Sequence, residues 1–181
     1  MKIKDEMAEL GSGAGQIAPA KALHPGLVYD LSINSYIRFL CKEGYNNSDI
    51  ALLAGSKPRY NCSNFKPALG SDGLNYPTMH LQLKNHNSTI SAVFHRTVTH
   101  VENQTAVYTA KVVSPKGLTV IVYPSTLEFT RLRQKRPFKV VVKGGQMPKG
   151  TSILSASLEW NDSHNHNVKS YILVYKPELM F

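Results

Sequence analysis

The sequence predicts a mainly β fold, in which an antiparallel β-sandwich follows a short helical and loop segment. Two observations carry this prediction. Between Ile153 and Tyr175, apolar and polar residues alternate on either side of a polar turn, as in a hairpin with one buried face. From Leu74 onward, short apolar segments recur with turn signals between them. A hairpin alone is marginal in water, so it requires a sheet to join and a second layer to cover Trp160.

Eight segments after Leu74 have the composition of strands. They are residues 74–83, 90–100, 106–114, 118–123, 127–130, 137–143, 153–160 and 168–175. Seven or eight short antiparallel strands are typical of immunoglobulin or fibronectin type III sandwiches. Both cysteines precede the strands, so the Cys…Trp…Cys pattern of immunoglobulin domains is absent and the fibronectin-like form is favoured. We therefore divide the chain into residues 1–73 and a sandwich domain of residues 74–181.

Residues 11–30 are dense in glycine and proline and are predicted to form a loop that follows another surface. An amphipathic helix is predicted after this loop, because its apolar residues recur at helical spacing and share one face. These residues are Ile33, Tyr36, Ile37, Leu40 and Cys41. Ser32 or Asn34 is suited to cap the start of the helix, and Gly44 is suited to the left-handed conformation after its end.

A second, shorter helix is predicted from Asp49 to Ala54, with Ser48 as its N-cap and Gly55 as its stop. The residues on its apolar face are Ile50, Leu53 and Ala54. Helices this short are unstable when isolated in water. Both apolar stripes are therefore expected to bury against something larger, and nothing else in residues 1–73 is large enough.

Two cysteines bracket the second helix. Cys41 ends the first predicted helix and Cys62 follows the second. A bridge between them would close a loop of about 20 residues and stabilise the helical pair by about 3 kcal/mol in the chain-entropy model. The alternative is two unrelated buried thiols. The glycosylation signals described next favour the disulfide, because disulfides persist in the secretory pathway.

Five N-x-[ST] glycosylation acceptors lie near predicted turns or loops, where glycans belong. Their asparagines are Asn46, Asn61, Asn87, Asn103 and Asn161. Together they favour a secreted product. Residues 1–10 have no apolar stretch after their lysines, so no signal peptide is predicted there. We accordingly expect the beginning of a secreted protein to lie upstream of Met1.

The chain is basic, with a net charge of +9. Such a charge indicates either a polyanionic partner or a solvated basic face. The densest cluster is Arg131, Arg133, Lys135, Arg136 and Lys139. It straddles a predicted turn and lacks the interleaved aromatic residues of a nucleic-acid platform, so no nucleic-acid partner is predicted. No apolar run approaches the ~20 residues of a membrane span, so no membrane partner is predicted either.

Five segments, in order, carry a family resemblance. They are GAGQIAPAKALHPGLVYD, YIRFLCKEGY, LNYPT, RTVTHV and the closing W-N-D…H-N-V-K-S-Y-I. Together they resemble the C-terminal third of plant subtilisin-like serine proteases, the subtilases, from about Gly11 to Tyr175. The resemblance implies that residues 1–73 end a subtilisin α/β catalytic domain and that a fibronectin type III-like domain packs against it. It also implies a secreted, glycosylated, extracellular parent enzyme that cleaves peptide bonds with an Asp-His-Ser triad.

The sequence departs from the family pattern at several positions. His100 and Glu102 stand where Asn and Gly are usual, Ser163 replaces a turn glycine, and Lys169 and Tyr171 replace Arg and Pro. A glutamate in place of a turn glycine is expected to strain a left-handed backbone position. These changes are expected to affect fine packing and domain docking rather than the fold.

No catalytic residue is assigned to this chain. The resemblance places the nucleophile segment G-T-S-M-A-x-P-H, the triad Asp and His, and the oxyanion Asn upstream of Met1. Ser152 ends a Gly-Thr-Ser tripeptide, but a predicted strand follows it, and a subtilisin-type nucleophile needs a helix N-terminus, a base and an oxyanion donor. His164 and His166 form a close pair without cysteine or carboxylate support, so neither a metal nor a cofactor is predicted.

Three hypotheses follow. The first is a non-catalytic C-terminal portion of a secreted plant subtilase, which supports the missing catalytic domain and meets peptide or protein substrates only in the full-length enzyme. The second is a free-standing basic, glycosylated module that binds a cell-wall polyanion or a protease partner. Salt-sensitive retention that depends on Arg131, Arg133 and Lys135 would favour the second. The third is an unstable fragment, whose helices over residues 32–54 expose apolar stripes and aggregate.

Overall fold

The structure, a computed structural model that describes Gly13 and residues 16–55, 60–85 and 87–176, contains nine strands in two sheets. They are β1 (Leu27–Val28), β2 (Met79–Gln82), β3 (Thr89–His100), β4 (Ala106–Val113), β5 (Leu118–Tyr123), β6 (Thr126–Phe129), β7 (Lys135–Gln146), β8 (Ile153–Asn161) and β9 (Asn167–Tyr175). Sheet A has the order β1-β3-β7-β5, and sheet B the order β2-β9-β8-β4-β6. The predicted fibronectin-like sandwich class is confirmed. Residues 1–10, to which the signal-peptide prediction applies, lie outside the described residues.

The eight predicted strands correspond to β2–β9, and β7 extends beyond the predicted 137–143 at both ends. β2 is shorter than predicted and pairs with β9 in parallel rather than antiparallel, with Met79 opposite Ile172. Residues 74–78 stay out of this sheet because Pro77 has no N–H for a ladder and Asn75 binds sheet A instead. β1 was not predicted, since two residues in a glycine- and proline-rich stretch give no periodicity to detect.

The core lies between the inward faces of the two sheets. Trp160 of β8 is fully buried, as the hairpin pattern predicts, and packs edge-on against Phe138 of β7 with 5.2 Å between ring centroids. Along β7, Phe138, Val140 and Val142 point inward. Truncating buried aromatic residues of this size typically costs about 3–5 kcal/mol, so the Trp160 contact is a main source of stability.

The described residues ahead of the sandwich form three α-helices, α1 (Pro19–Ala22), α2 (Ile33–Lys42) and α3 (Asn47–Ala54), and a 3-10 helix at Cys62–Asn64. The prediction of loop throughout residues 11–30 is wrong at α1, where Pro19 occupies the first helical position. Ser32 caps α2 through a capping box, as one of the two predicted candidates. The prediction of Ser48 as N-cap of α3 is wrong. Asn46 is the cap, because its Oδ1 lies 2.8 Å and 3.0 Å from the backbone nitrogens of Ser48 and Asp49 and accepts both hydrogen bonds.

Of the two predicted apolar stripes, only one residue each is deeply buried: Ile37 in α2 and Ile50 in α3. Ile33, Tyr36 and Leu53 are exposed, so the described chain does not contain the larger surface that the stripes were expected to meet. A disulfide joins Cys41 to Cys62 and ties α2 to the segment after α3. Within the described ranges, none of the helices combines the length and apolar character of a membrane span.

Candidate functional site

The edge of β3 that faces away from β7 is sealed by the N-terminal segment, which we define as residues 16–55 and 60–78. β1 pairs there with Thr99 and His100. Asn75 imitates a further strand residue: its Oδ1 accepts from Thr97 N and its Nδ2 donates to Thr97 O, both at 2.7 Å. Ser71 does the same at Val93, through its N–H and its hydroxyl. An open strand edge invites pairing with other chains, so this contact, the N-terminal seam, protects sheet A.

Arg96 lies at the middle of the N-terminal seam with its side chain fully buried. Its guanidinium group forms a two-pronged ion pair with Asp72 and donates to the carbonyls of Tyr76 and Thr78 at 2.7 Å and 3.1 Å. A buried charge is tolerated only when it is paired and its donors are satisfied. Arg96 therefore fixes the whole 72–78 loop against β3.

The sequence contains a signal for Arg96 that was not used in predicting the strands. In β3, Ile90, Ala92 and Phe94 point inward, and Arg96, Val98 and His100 continue the same alternation. A cation at an inward strand position requires a carboxylate from another part of the chain. The sequence shows that need but does not identify Asp72 as the partner.

Asp30 forms the second ionic contact of the seam. Its carboxylate accepts from the Thr99 hydroxyl at 2.8 Å and pairs with the Lys135 ammonium group of β7. The hydrogen bond from Lys135, together with that from Thr99, lowers the pKa of Asp30 below its usual value. The adjacent Tyr29 reaches across to sheet B, where its hydroxyl lies 2.9 Å from Ser170 Oγ.

A second cluster joins the start of the N-terminal segment to the β8–β9 turn. Glu102 Oε1 lies 3.8 Å from His24 Nδ1 and 3.9 Å from His166 Nε2. The predicted backbone strain at Glu102 is wrong, because the left-handed non-glycine residues in the described chain are Arg133 and Asn165. Glu102 instead places its carboxyl group between two histidine rings.

Gly26 packs into this cluster with φ +72°. A Cβ at this position would meet the Tyr108 hydroxyl and approach His166 Cγ to 2.9 Å. The site thus requires glycine both for its backbone conformation and for its space. Burial and the nearby Asp162 carboxylate both raise the pKa of the Tyr108 hydroxyl.

The histidine pair of the β8–β9 turn was predicted to lack a carboxylate neighbour, and this is wrong, because His166 Nδ1 lies 2.7 Å from Asp162 Oδ2. Burial alone would raise the pKa of Asp162, but hydrogen bonds from the His166 ring and from two backbone N–H groups lower it. His164 stays at the surface, 3.6 Å from the same carboxylate. Across the described residues, no group of three or more His, Cys, Asp or Glu side chains is arranged to hold a metal ion.

His100, a departure from the family pattern, is fully buried. Its ring stacks on Phe129 with 5.0 Å between centroids, and Tyr108 approaches it edge-on. Neither ring nitrogen has a hydrogen-bond partner within the described chain. His100 therefore acts as an aromatic core residue here.

The predicted sequons differ in accessibility. Asn46, Asn61, Asn87 and Asn103 are exposed. Asn161 is half-buried as the last residue of β8, opposite Asn167, which donates to its Oδ1 at 2.6 Å. Ser152 is exposed just before β8, and its backbone carbonyl accepts from Lys176 N. That position is the start of a strand, as expected from the sequence.

The predicted basic cluster is divided between several environments. Arg131 and Arg133 lie in the β6–β7 turn, and the Nε of Arg136 donates to the Glu128 carbonyl at 2.8 Å. Lys135 is paired with Asp30, whereas Lys139 projects from the outer face of sheet A. A cleft of about 450 Å³ opens between α2, the 67–75 loop and this face.

Sequence comparison identifies the class of module first. A family model described as a fibronectin type-III domain matches residues 73–174, a range that contains β2–β8 and all but the last residue of β9. Among solved structures, the FixG-related protein from Vibrio parahaemolyticus aligns with 49% of this chain and 81% of its own, at 10% identity and a TM-score of 0.40.

Two plant proteins are much more similar to this chain than that solved structure is. Subtilisin-like protease SBT4.15 of Arabidopsis thaliana is 49% identical over 98% of this chain and 24% of its own length. Subtilisin-like protease SBT4.14 of the same plant is 48% identical over 94% of this chain and 22% of its own length. The chain belongs to the fibronectin type-III family and corresponds to the C-terminal fibronectin-like portion of subtilisin-like proteases. It spans less than a quarter of the length of these two relatives.

Proposed function

We propose that this chain is a structural, non-catalytic module of a secreted subtilisin-like protease, in which it supports the catalytic domain and helps to position peptide substrates. The N-terminal seam carries the proposal. It binds a segment that resembles the end of a catalytic domain to the sandwich through Arg96, Asp72, Asp30 and Asn75. These contacts hold the two parts of the chain together.

Exposed apolar side chains support a partner on the helical side. The large apolar residues exposed in the N-terminal segment are Ile17, Leu23, Ile33, Tyr36, Tyr45, Leu52, Leu53, Leu69 and Tyr76. Those exposed after residue 78 are Val93, Val107, Val113, Ile121, Tyr123 and Leu132. The shorter part of the chain thus exposes more apolar groups, which is typical of a surface that another domain covers. We assign that surface to the remaining length of the protease.

The docking proposal is tested by co-expressing this chain with the catalytic part of SBT4.15 and measuring co-purification. We expect Leu52→Ser with Leu53→Ser to abolish the complex, because both side chains are exposed on α3. Val107→Ser with Val113→Ser removes exposed apolar groups from the sandwich instead and serves as the matched control. Equal effects of the two pairs, or no complex with the unmodified chain, would refute the assigned surface.

We also propose that the polypeptide alone hydrolyses no peptide bond. Ser152 lies at the start of a strand, where no helix N-terminus supports an oxyanion. The purified chain should therefore leave a generic fluorogenic peptide intact. Hydrolysis that disappears in Ser152→Ala would refute this proposal.

Extracellular location and glycosylation complete the proposal. When the chain is secreted from plant cells behind an added leader, we expect glycans on exposed Asn87 and Asn103 and none on Asn161, whose amide lies within the β8–β9 ladder. Mass spectrometry after enzymatic deglycosylation reads the occupied sites directly. Occupancy of Asn161 with Asn103 unmodified would contradict the accessibility argument.

A further inference from the structure

The strands of sheet A contain no acidic residue, yet the sheet carries a row of lysines on its outer face. Lys135, Lys139 and Lys143 occupy alternate outward positions of β7, while Phe138, Val140 and Val142 point into the core. Four strand residues span about 14 Å, which sets the spacing of neighbouring lysines along the row. Lys135 is paired with Asp30. Lys139 and Lys143 have no carboxylate within 4.0 Å among the described residues.

The outward lysines of sheet B, in contrast, lie opposite an acidic residue of the same sheet. Glu159 of β8 is the register partner of Lys111 on one side and of Lys169 on the other. The Lys169 ammonium lies 3.6 Å from the Glu159 carboxylate. Lys169 therefore has an ionic partner in its own sheet, and Lys111 lies in register with the same carboxylate, whereas the strands of sheet A supply no acidic residue.

Side chains around the two uncompensated lysines are suited to a sugar chain. Lys139 lies between His95 of β3 and Tyr123 of β5, and its ammonium is 5.3 Å from the centroid of the Tyr123 ring. Lys143 lies between the hydroxyl residues Ser91 and Thr119. The three adjacent strands β3, β7 and β5 thus present cations, an exposed aromatic ring and hydroxyl groups on one face.

We propose that the outer face of β3, β7 and β5 binds a linear polysaccharide that carries carboxylates. Charge complementarity identifies the occupant: the three strands carry no acidic residue, and Asp30 pairs with Lys135, whereas Lys139 and Lys143 remain available to a polyanion. Nucleic acid fits less well, because duplex DNA carries a charge every ~1.7 Å of its axis and is bound with arginine forks, whereas this face offers lysines about 14 Å apart. The proposal goes beyond the structural role above and does not depend on it.

Affinity electrophoresis of the purified 181-residue chain in gels containing polygalacturonate tests the proposal, with dextran as the neutral control. We expect Lys139→Gln with Lys143→Gln to weaken binding by about tenfold or more at low ionic strength. Lys111→Gln with Lys169→Gln removes the same net charge from sheet B and should change binding less than about twofold. Circular dichroism establishes that both variants are folded.

A Tyr123→Ala variant distinguishes binding to a specific surface from nonspecific ion exchange. We expect it to weaken binding without changing the dependence of affinity on salt, since it removes a stacking surface and no charge. Equal losses in the two lysine pairs, or no retention of the unmodified chain, would overturn the proposal. Tighter binding to single-stranded DNA than to polygalacturonate through the same lysines would assign the face to nucleic acid instead.

Discussion

Sheets A and B obtain the counter-charges for their cations from different parts of the chain. Sheet B contains its own carboxylate, Glu159, between two lysines. Sheet A contains none, and its Arg96 and Lys135 are neutralised by Asp72 and Asp30 of the N-terminal segment. The ion pair of sheet B thus lies within the sandwich, whereas the ion pairs of sheet A depend on residues that precede it.

The largest effect is expected at the buried pair. Arg96→Met should lower the free energy of unfolding by about 3–5 kcal/mol, because it leaves Asp72 without its cation and two carbonyls without donors. Lys169→Met breaks the more exposed pair with Glu159 and should cost less than about 1 kcal/mol. Urea unfolding measures both. Equal costs would remove the distinction between the two sheets.

Gly26 gives the next largest effect. Gly26→Ala combines left-handed strain with a clash against Tyr108 and His166, and should cost about 2–4 kcal/mol. Gly117→Ala has a similar φ but open space around it, so it should cost only the strain, about 1–2 kcal/mol. Thermal unfolding compares the two variants. A cost at Gly26 no greater than at Gly117 would mean that the packing of the N-terminal segment adds nothing.

A smaller effect is expected where Asn75 substitutes for a strand. Asn75→Ala removes both hydrogen bonds to the Thr97 backbone and should cost about 1–2 kcal/mol. The exposed Asn64 provides a control, and its replacement by alanine should stay within about 0.5 kcal/mol. Hydrogen exchange at Thr97 should also accelerate in the Asn75 variant. Unchanged exchange there would show that the edge is protected by other means.

The smallest effect concerns pH. The pKa of Asp30 is lowered in the folded state, so its contribution is fully present above its usual pKa of 3.8 and is lost as the pH falls through the lowered value. The unmodified chain should therefore lose more stability on acidification below about pH 4 than Asp30→Asn does. Urea midpoints across that range measure the difference. If the stabilities of the two proteins fell in parallel as the pH is lowered, the contact between Asp30 and Lys135 would make no pH-dependent contribution to folding.

The strands β3 to β9 could largely be predicted because apolar and polar residues alternate along them. Their apolar residues fall at period two, and Trp160 has the burial that the hairpin requires. β1 could not be found, because a strand of two residues has no period. The parallel pairing of β2 was missed for another reason. Pairing direction depends on where the chain arrives in space, which local sequence does not encode.

The N-terminal seam was less predictable than the fold. The disulfide partners and exposed sequons are residue types with recognisable spacing, and the disulfide between Cys41 and Cys62 is present in the structure. The side chains that seal β3, by contrast, are ordinary Ser and Asn residues in a loop. Their role depends on matching the backbone of a strand about twenty residues away. The division at residues 73 and 74 stays a prediction, although the seam crosses it.

The sealing of β3 has a practical consequence for anyone who grafts this module onto another enzyme. A cut at residue 74 would keep Asn75 but discard β1, Ser71, Asp72 and Asp30, and most of a naked β-edge would then be available to a second copy. A transplant that begins ahead of Gly26 carries its own edge cover with it. The unit to transplant is therefore longer than the sandwich domain itself.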